Sequence, residues 1–81
     1  MSDTMGRIKQ VTAELLGIDI TQINDDSRFV EDLGAESIQS IELVAAFEEE
    51  FDIEMDEDAA LAVTNVSNAT EFIDKVIAAA R

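Results

Sequence analysis

Ser37 is the residue best placed for chemistry in this chain. It lies in the segment EDLGAESIQS, after the turn at Gly34 and at the start of an amphipathic helical pattern. A serine in that setting is exposed beside the unpaired N–H groups of a first helical turn, where an attached phosphate would be stabilised. The alternative is structural: Ser37 is an ordinary helix N-cap, without a capping box because Ser40 stands at the third helical position. On the residues alone, the structural role is the better supported.

Other reactive side chains are scarce. The chain contains no histidine and no cysteine, which excludes Ser-His and Cys-His catalysis, disulfides, and zinc held by sulfur or imidazole. The many carboxylates offer oxygen ligands, but the stretches beginning at Asp19 and Asn24 lack the glycine that an EF-hand calcium loop requires at its sixth position. We therefore expect neither an enzyme nor a specific metal site.

The charge is strongly acidic. Five basic and 19 acidic residues give a formal net charge of -14, yet 47% of the residues are apolar, which favours a folded domain over a disordered acidic tail. Such a charge disfavours nucleic acid and anionic membranes as partners. No basic residue lies between Arg28 and Lys75, where acidic residues crowd together. This stretch is either a solvated face or a surface that basic partners recognise.

The apolar spacing predicts helices as the framework. A first helix is expected over residues 3–16 and ends at Gly17, and a second over Ser37–Phe51. On the second helix, one wide apolar face groups Ile41, Leu43, Val44, Phe47 and Phe51. A short third helix is expected over residues 57–62, and a final helix follows Asn65 as its N-cap.

Residues 17–36 keep apolar side chains without a helical period, which predicts an ordered loop packed on the core. The predicted fold is all-α, a four-helix bundle of three main helices and one short helix with a long first loop, in a single domain over residues 1–81. The N-terminal residues contain no apolar signal segment, and no apolar stretch is long enough to cross a bilayer. We expect a monomeric, cytoplasmic protein.

The chain resembles an acyl carrier protein from the Gly17 turn through the last helix. The segment FVEDLGAESIQSIELVAAFEEEFDIE carries most of this resemblance. At its centre the family's Gly-Ala-Asp-Ser-Leu pattern is present as Gly34, Ala35, Glu36, Ser37 and Ile38.

This resemblance implies that Ser37 carries 4′-phosphopantetheine, transferred from coenzyme A by a separate phosphopantetheinyl transferase. The thiol of this arm would hold acyl groups as thioesters for partner enzymes with basic docking patches, in fatty acid or related lipid synthesis. The partner-recognition residues implied are Glu36, Glu42, Glu48 and Glu49. The implied acyl pocket consists of Val30, Leu43, Phe47, Met55, Ala60, Val63 and Ala69, although the same residues are equally consistent with a plain hydrophobic core.

Four positions depart from the family pattern. Glu36 replaces the common Asp beside the serine, which changes how a transferase meets the site, and Asp56 stands where a Pro is frequent after the second helix. Ile38 replaces Leu with little expected consequence, and Ala45 replaces a larger apolar residue. Two alternatives stay open: a carrier of aminoacyl or polyketide groups on the same arm, and an unmodified acidic docking module in which Ser37 is only an N-cap.

Overall fold

The computed structural model describes residues 3–56 and 63–80, and within them the chain is all-α. Helix α1 spans Thr4–Leu16, a 3₁₀ turn spans Ile20–Gln22, α2 spans Ser37–Phe51 and α3 spans Val66–Ala79. The described part contains no β-strand, only an isolated antiparallel bridge between Arg28 and Asn65. None of these helices is long and apolar enough to span a membrane.

The predicted helix boundaries agree closely with the structure. Gly17 ends α1 in the left-handed conformation with φ of 68°, which a glycine adopts without steric cost. The Asn65 side chain caps α3 by accepting a hydrogen bond from the backbone N–H of Asn68 at 2.7 Å. The bounds predicted for α2 are confirmed. The short helix predicted over residues 57–62 lies outside the described residues.

The hydrophobic core lies where α1 packs against both α2 and α3. Its fully buried side chains come from all three helices: Ile8, Leu43, Phe47, Val66, Ala69 and Ile73. The first loop adds three buried apolar residues, Ile23, Phe29 and Ala35, which confirms the predicted packing of this loop on the core. Two other apolar loop residues, Ile20 and Val30, are exposed instead.

Buried hydroxyl groups all find hydrogen-bond partners in the described part of the chain. Thr4 donates to a carboxylate oxygen of Asp74 at 2.6 Å and thereby joins the start of α1 to α3. Thr12 donates to the carbonyl oxygen of Ile8 at 2.7 Å, within α1. No buried side-chain polar atom described here lacks a partner. The small core therefore carries no desolvation penalty from unsatisfied polar groups.

Two cations on α1 hold this helix to its acidic neighbours. The Arg7 guanidinium donates to the Glu50 carboxylate at 2.9 Å and to the Glu50 carbonyl oxygen, and it lies 4.3 Å from the centre of the Phe51 ring. Lys9 forms an ion pair with Asp25 of the first loop at 2.5 Å. Few cations are present in this chain, and these two are used to fix the end of α2 and the first loop against α1.

Candidate functional site

Ser37 is the first residue of α2, and its side chain is exposed. The chain turns toward it at Gly34, which has φ of 74°. Ala35 is then buried and donates its N–H to the carbonyl oxygen of Phe29 at 2.9 Å, so the turn is fixed on the core. Glu36 is extended, with φ of -81° and ψ of 165°. This backbone path places Ser37 at the surface at the N-terminal end of α2.

The N-cap of α2 is Glu36, so the structural role considered for Ser37 is wrong. The Glu36 N–H donates to the side-chain oxygen of Gln39 at 2.9 Å, and the Glu36 carbonyl accepts from the Ser40 N–H at 3.0 Å. Gln39, and not Ser40, therefore occupies the third helical position, and its side chain forms the return bond of a capping box to the Glu36 N–H. The Ser37 hydroxyl takes no part in capping and has no hydrogen-bond partner among the described residues.

The first loop is joined to the segment before α3 by two backbone hydrogen bonds. Phe29 donates its N–H to the carbonyl oxygen of Thr64 at 3.1 Å, and Val66 donates to the carbonyl oxygen of Ser27 at 3.0 Å. The Phe29 ring then lies against the ring of Phe47 on α2, with centroids 6.1 Å apart. These contacts fix the first loop against α2 and the segment before α3.

A charged turn precedes Gly34. The Arg28 guanidinium binds the carboxylates of Asp32 at 3.2 Å and Glu31 at 3.0 Å, and the Arg28 backbone N–H donates to Asp32 at 2.9 Å. The side-chain hydrogen bond from Arg28 is the largest cause that lowers the pKa of Asp32, followed by the backbone hydrogen bond. The same pairing raises the pKa of Arg28. Arg28 is therefore occupied within its own loop.

A cavity of about 650 Å³ lies beside Ser37, between α2, the first loop and the chain on either side of residues 57–62. Its lining is mostly apolar, and Ser37 is one of the lining residues. The described residues that line it are Phe29, Val30, Glu31, Ser37, Ser40, Ile41, Leu43, Val44, Ala45, Phe47, Glu48, Met55, Val63 and Thr64. A flexible group attached to Ser37 would have an apolar space next to its point of attachment.

Most residues of the implied acyl pocket line this cavity. They are Val30, Leu43, Phe47, Met55 and Val63. Ala69 does not line it and is instead fully buried on α3 in the core. Ala60 lies outside the described residues. The polar lining residues Ser40 and Thr64 were not predicted, and nothing in their local sequence distinguishes them from other surface hydroxyls.

The four implied recognition carboxylates fall into two groups. Glu36, Glu42 and Glu49 are exposed, and none of them forms an ion pair with a described cation. Glu48 is half-buried, and its carboxylate accepts a hydrogen bond from the Met55 backbone N–H at 2.9 Å. Three carboxylates therefore face solvent without a counter-charge in the described structure, while the fourth is bonded within the chain.

Two exposed isoleucines adjoin Ser37 on α2. Ile38 and Ile41 are each 65% exposed. The helical period groups Ile41 with Leu43 and Phe47 on one wide apolar face, but Ile41 lies at the edge of that face, where it lines the cavity and remains open to solvent. Ile38 and Ile41 are three residues apart, a spacing that makes their side chains neighbours on the surface of a helix.

The arrangement supplies an acceptor for a covalent modification. Ser37 offers an exposed hydroxyl, and the described structure places no carboxylate in hydrogen-bond contact with it. Within residues 3–56 and 63–80, no three acidic side chains come together to hold a metal ion. A family model described as phosphopantetheine attachment site matches residues 6–73, a range that includes Ser37, the cavity residues and most of the three helices.

Proposed function

Because the chain belongs to the phosphopantetheine attachment site family, we propose that it is an acyl carrier protein of fatty acid or related lipid synthesis. Family members carry 4′-phosphopantetheine as a covalently attached arm. We assign the attachment to Ser37. The observation that supports this best is the exposed Ser37 hydroxyl at the start of α2, which lies on the edge of an apolar cavity and has no hydrogen-bond partner among the described residues.

Attachment requires Ser37 to act as a nucleophile toward coenzyme A on a separate transferase. The Ser37 Oγ forms a bond to the β-phosphorus, the bond from that phosphorus to the bridging oxygen breaks, and adenosine 3′,5′-bisphosphate leaves. The serine proton passes to a base of the transferase, since no described carboxylate of this chain is in hydrogen-bond contact with the Ser37 hydroxyl. Once attached, the arm supplies the thiol that this cysteine-free chain lacks.

The residues around Ser37 fit such an arm. The phosphate of the arm would lie beside the first N–H groups of α2, where the helix dipole favours negative charge. The cavity next to Ser37 has an apolar wall formed by Phe29, Leu43 and Phe47, which suits an uncharged aliphatic group. We propose that this cavity shelters the acyl chain, in a carrier that is a cytoplasmic monomer with one domain over residues 1–81.

Partner enzymes would meet the exposed side of α2. Glu36, Glu42 and Glu49 present negative charge on α2 that no described cation pairs with, and Ile38 and Ile41 add apolar surface. Enzymes with basic docking patches and an apolar centre fit this combination. The phosphopantetheinyl transferase is the first such partner, followed by the acyl-processing enzymes. The chain itself carries cargo and performs no turnover in this proposal.

The direct test is the intact mass of the purified protein before and after incubation with coenzyme A and a broad-specificity phosphopantetheinyl transferase. The wild-type protein is expected to gain the mass of one arm. Ser37→Ala should gain nothing and keep its helical circular dichroism spectrum. Ser40→Ala is the matched control, because it removes a second hydroxyl from the same helix and should still be modified. A folded wild-type protein that gains no mass with several transferases would favour the unmodified docking module.

The class of cargo is tested separately with the modified protein. Apolar burial predicts that aliphatic acyl groups of increasing length raise the melting temperature progressively until the cavity is filled. Aminoacyl groups of similar size should give a smaller rise, because burying their charged amine is costly. A melting temperature that rises with aminoacyl or polyketide groups and not with aliphatic ones would favour those alternative carriers.

A further inference from the structure

The cavity beside Ser37 extends along most of α2. Its lining residues on this helix run from Ser37 to Glu48, a distance of about 16 Å along the helix axis. Closer to Ser37, the lining includes Ile41, a large and exposed side chain. One turn further along the same face is Ala45, which also lines the cavity, is exposed and contributes only a methyl group. The cavity is therefore less covered at the end formed by Ala45 and Glu48, which we call the distal end.

The distal end also contains a hydrogen-bond acceptor. Glu48 is half-buried, and Oε2 of its carboxylate accepts from the backbone N–H of Met55, another lining residue, at 2.9 Å. The other oxygen, Oε1, forms no hydrogen bond or ion pair with a described residue. Because each carboxylate oxygen has its own lone pairs, Oε1 can accept a hydrogen bond while Oε2 stays bonded to Met55.

These two features determine which chemical group suits the distal end. A hydrocarbon gains stability in proportion to the apolar area removed from water, and that gain is small where a methyl group is the main cover. A hydroxyl group keeps much of its hydration at an open edge, and its bond to a carboxylate is charge-assisted. A carboxylate would be repelled there by Glu48 and by the exposed Glu49 that follows it.

We propose that the distal end is a polar subsite for an acyl group that carries a hydroxyl group far from its thioester. The aliphatic part of this acyl group lies against Leu43 and Phe47, and its hydroxyl donates to Oε1 of Glu48. Ala45 is the specificity-determining residue, because a larger side chain at this position would cover the hydroxyl. The inference rests on the proposed function, since the cargo reaches the cavity on an arm attached to Ser37.

The test compares three kinds of cargo on the wild-type protein. Straight-chain acyl groups, their ω-hydroxy forms and their ω-methoxy forms are transferred from coenzyme A to Ser37 over a series of chain lengths. Intact mass verifies each loading, so a failure of attachment at Ser37 is seen before, and separately from, a failure of the subsite. The methoxy group is polar but cannot donate a hydrogen bond, which makes it the matched control for the hydroxyl group.

The melting temperature of each loaded protein reports the contact. Once the chain reaches the distal end, the ω-hydroxyacyl form should melt about 4–8 °C above the ω-methoxyacyl form, as expected for one net hydrogen bond in a domain of this size. Glu48→Gln keeps an oxygen for Met55 but replaces the second oxygen by an amide NH₂, which donates to hydroxyl and methoxy groups alike. In this variant the two forms should melt together.

Ala45→Leu tests the opening. The added side chain should raise the melting temperature of the straight-chain form and lower that of the ω-hydroxyacyl form. Ala78→Leu makes the same change at an exposed alanine of α3 that does not line the cavity, and it should leave the order of the three forms unchanged. Equal melting temperatures for the hydroxy and methoxy forms of the wild type at every length, or an unaltered difference in Glu48→Gln, would overturn the proposal.

Discussion

Ala35 donates its backbone N–H to the carbonyl oxygen of Phe29, six positions earlier, at 2.9 Å. This single bond closes the turn that delivers the chain to Ser37, and both of its residues are buried. Phe29 is in turn bonded to Thr64 and packed on Phe47. The position of the exposed serine is therefore fixed from the core, through residues that do not touch its hydroxyl.

Replacement of Gly34 by alanine should disturb the turn that positions Ser37. A Cβ at Gly34 would meet nothing within 4 Å, so the cost comes only from its φ of 74°. We expect a loss of about 1–2 kcal/mol in the free energy of unfolding, measured by urea denaturation, and slower modification of Ser37 by the transferase. Gly17→Ala is the matched control, since Gly17 also has a positive φ and open space. It should lose similar stability without slowing modification, and equal modification rates for both variants would contradict this role of the turn.

Two apolar residues on α2 should differ sharply in their contribution to stability. Phe47 is 1% exposed and Ile41 is 65% exposed, although the helical period grouped them on one face. Phe47→Ala should cost about 3–5 kcal/mol, enough to unfold much of a small domain, and Phe47→Leu provides a milder variant if it does not fold. Ile41→Ala should stay within about 0.5 kcal/mol of the wild type. Urea denaturation checks both, and comparable losses would place Ile41 in the core after all.

The ion pair between Arg28 and Asp32 should make the free energy of unfolding depend on pH in the acid range. The lowered pKa of Asp32 means that its charged form stabilises the folded state. This contribution is complete above the ordinary aspartate pKa of about 3.9 and is lost as the pH falls through the lower folded value. The difference in unfolding free energy between the wild type and Asp32→Asn should therefore be constant near neutral pH and shrink in acid. In an Arg28→Ala background the difference should be much smaller, and a difference that grows in acid would contradict the assignment.

Local signals explain why much of the fold could be predicted from the sequence. Gly17 and Asn65 act on their own neighbours, so the end of α1 and the start of α3 follow from residue type and position. The bounds of α2 follow from the apolar period between Ser37 and Phe51.

The features that could not be predicted depend on neighbours distant in sequence. The N-cap of α2 is Glu36 and not Ser37, because the turn fixed by Ala35 and Phe29 sets where the helical backbone begins. Ile41 is exposed because burial on α2 depends on which side the other elements cover. The bond from Met55 to Glu48 depends on the path of the chain after α2, which the composition of an acidic helix does not specify.

The final prediction concerns Glu42 as part of the docking surface. Glu42 lies on α2, is exposed and has no ion-pair partner among the described residues. Glu42→Lys should slow association with the phosphopantetheinyl transferase several-fold at low salt, because it replaces attraction by repulsion where basic partners are expected to dock. The matched control is Glu71→Lys, which makes the same charge change at an exposed position on α3. Stopped-flow association rates should show the difference at low ionic strength and its convergence as salt screens the charges. Equal slowing by both variants would mean that the transferase responds to total charge, and α2 would then lose its assignment as the docking face.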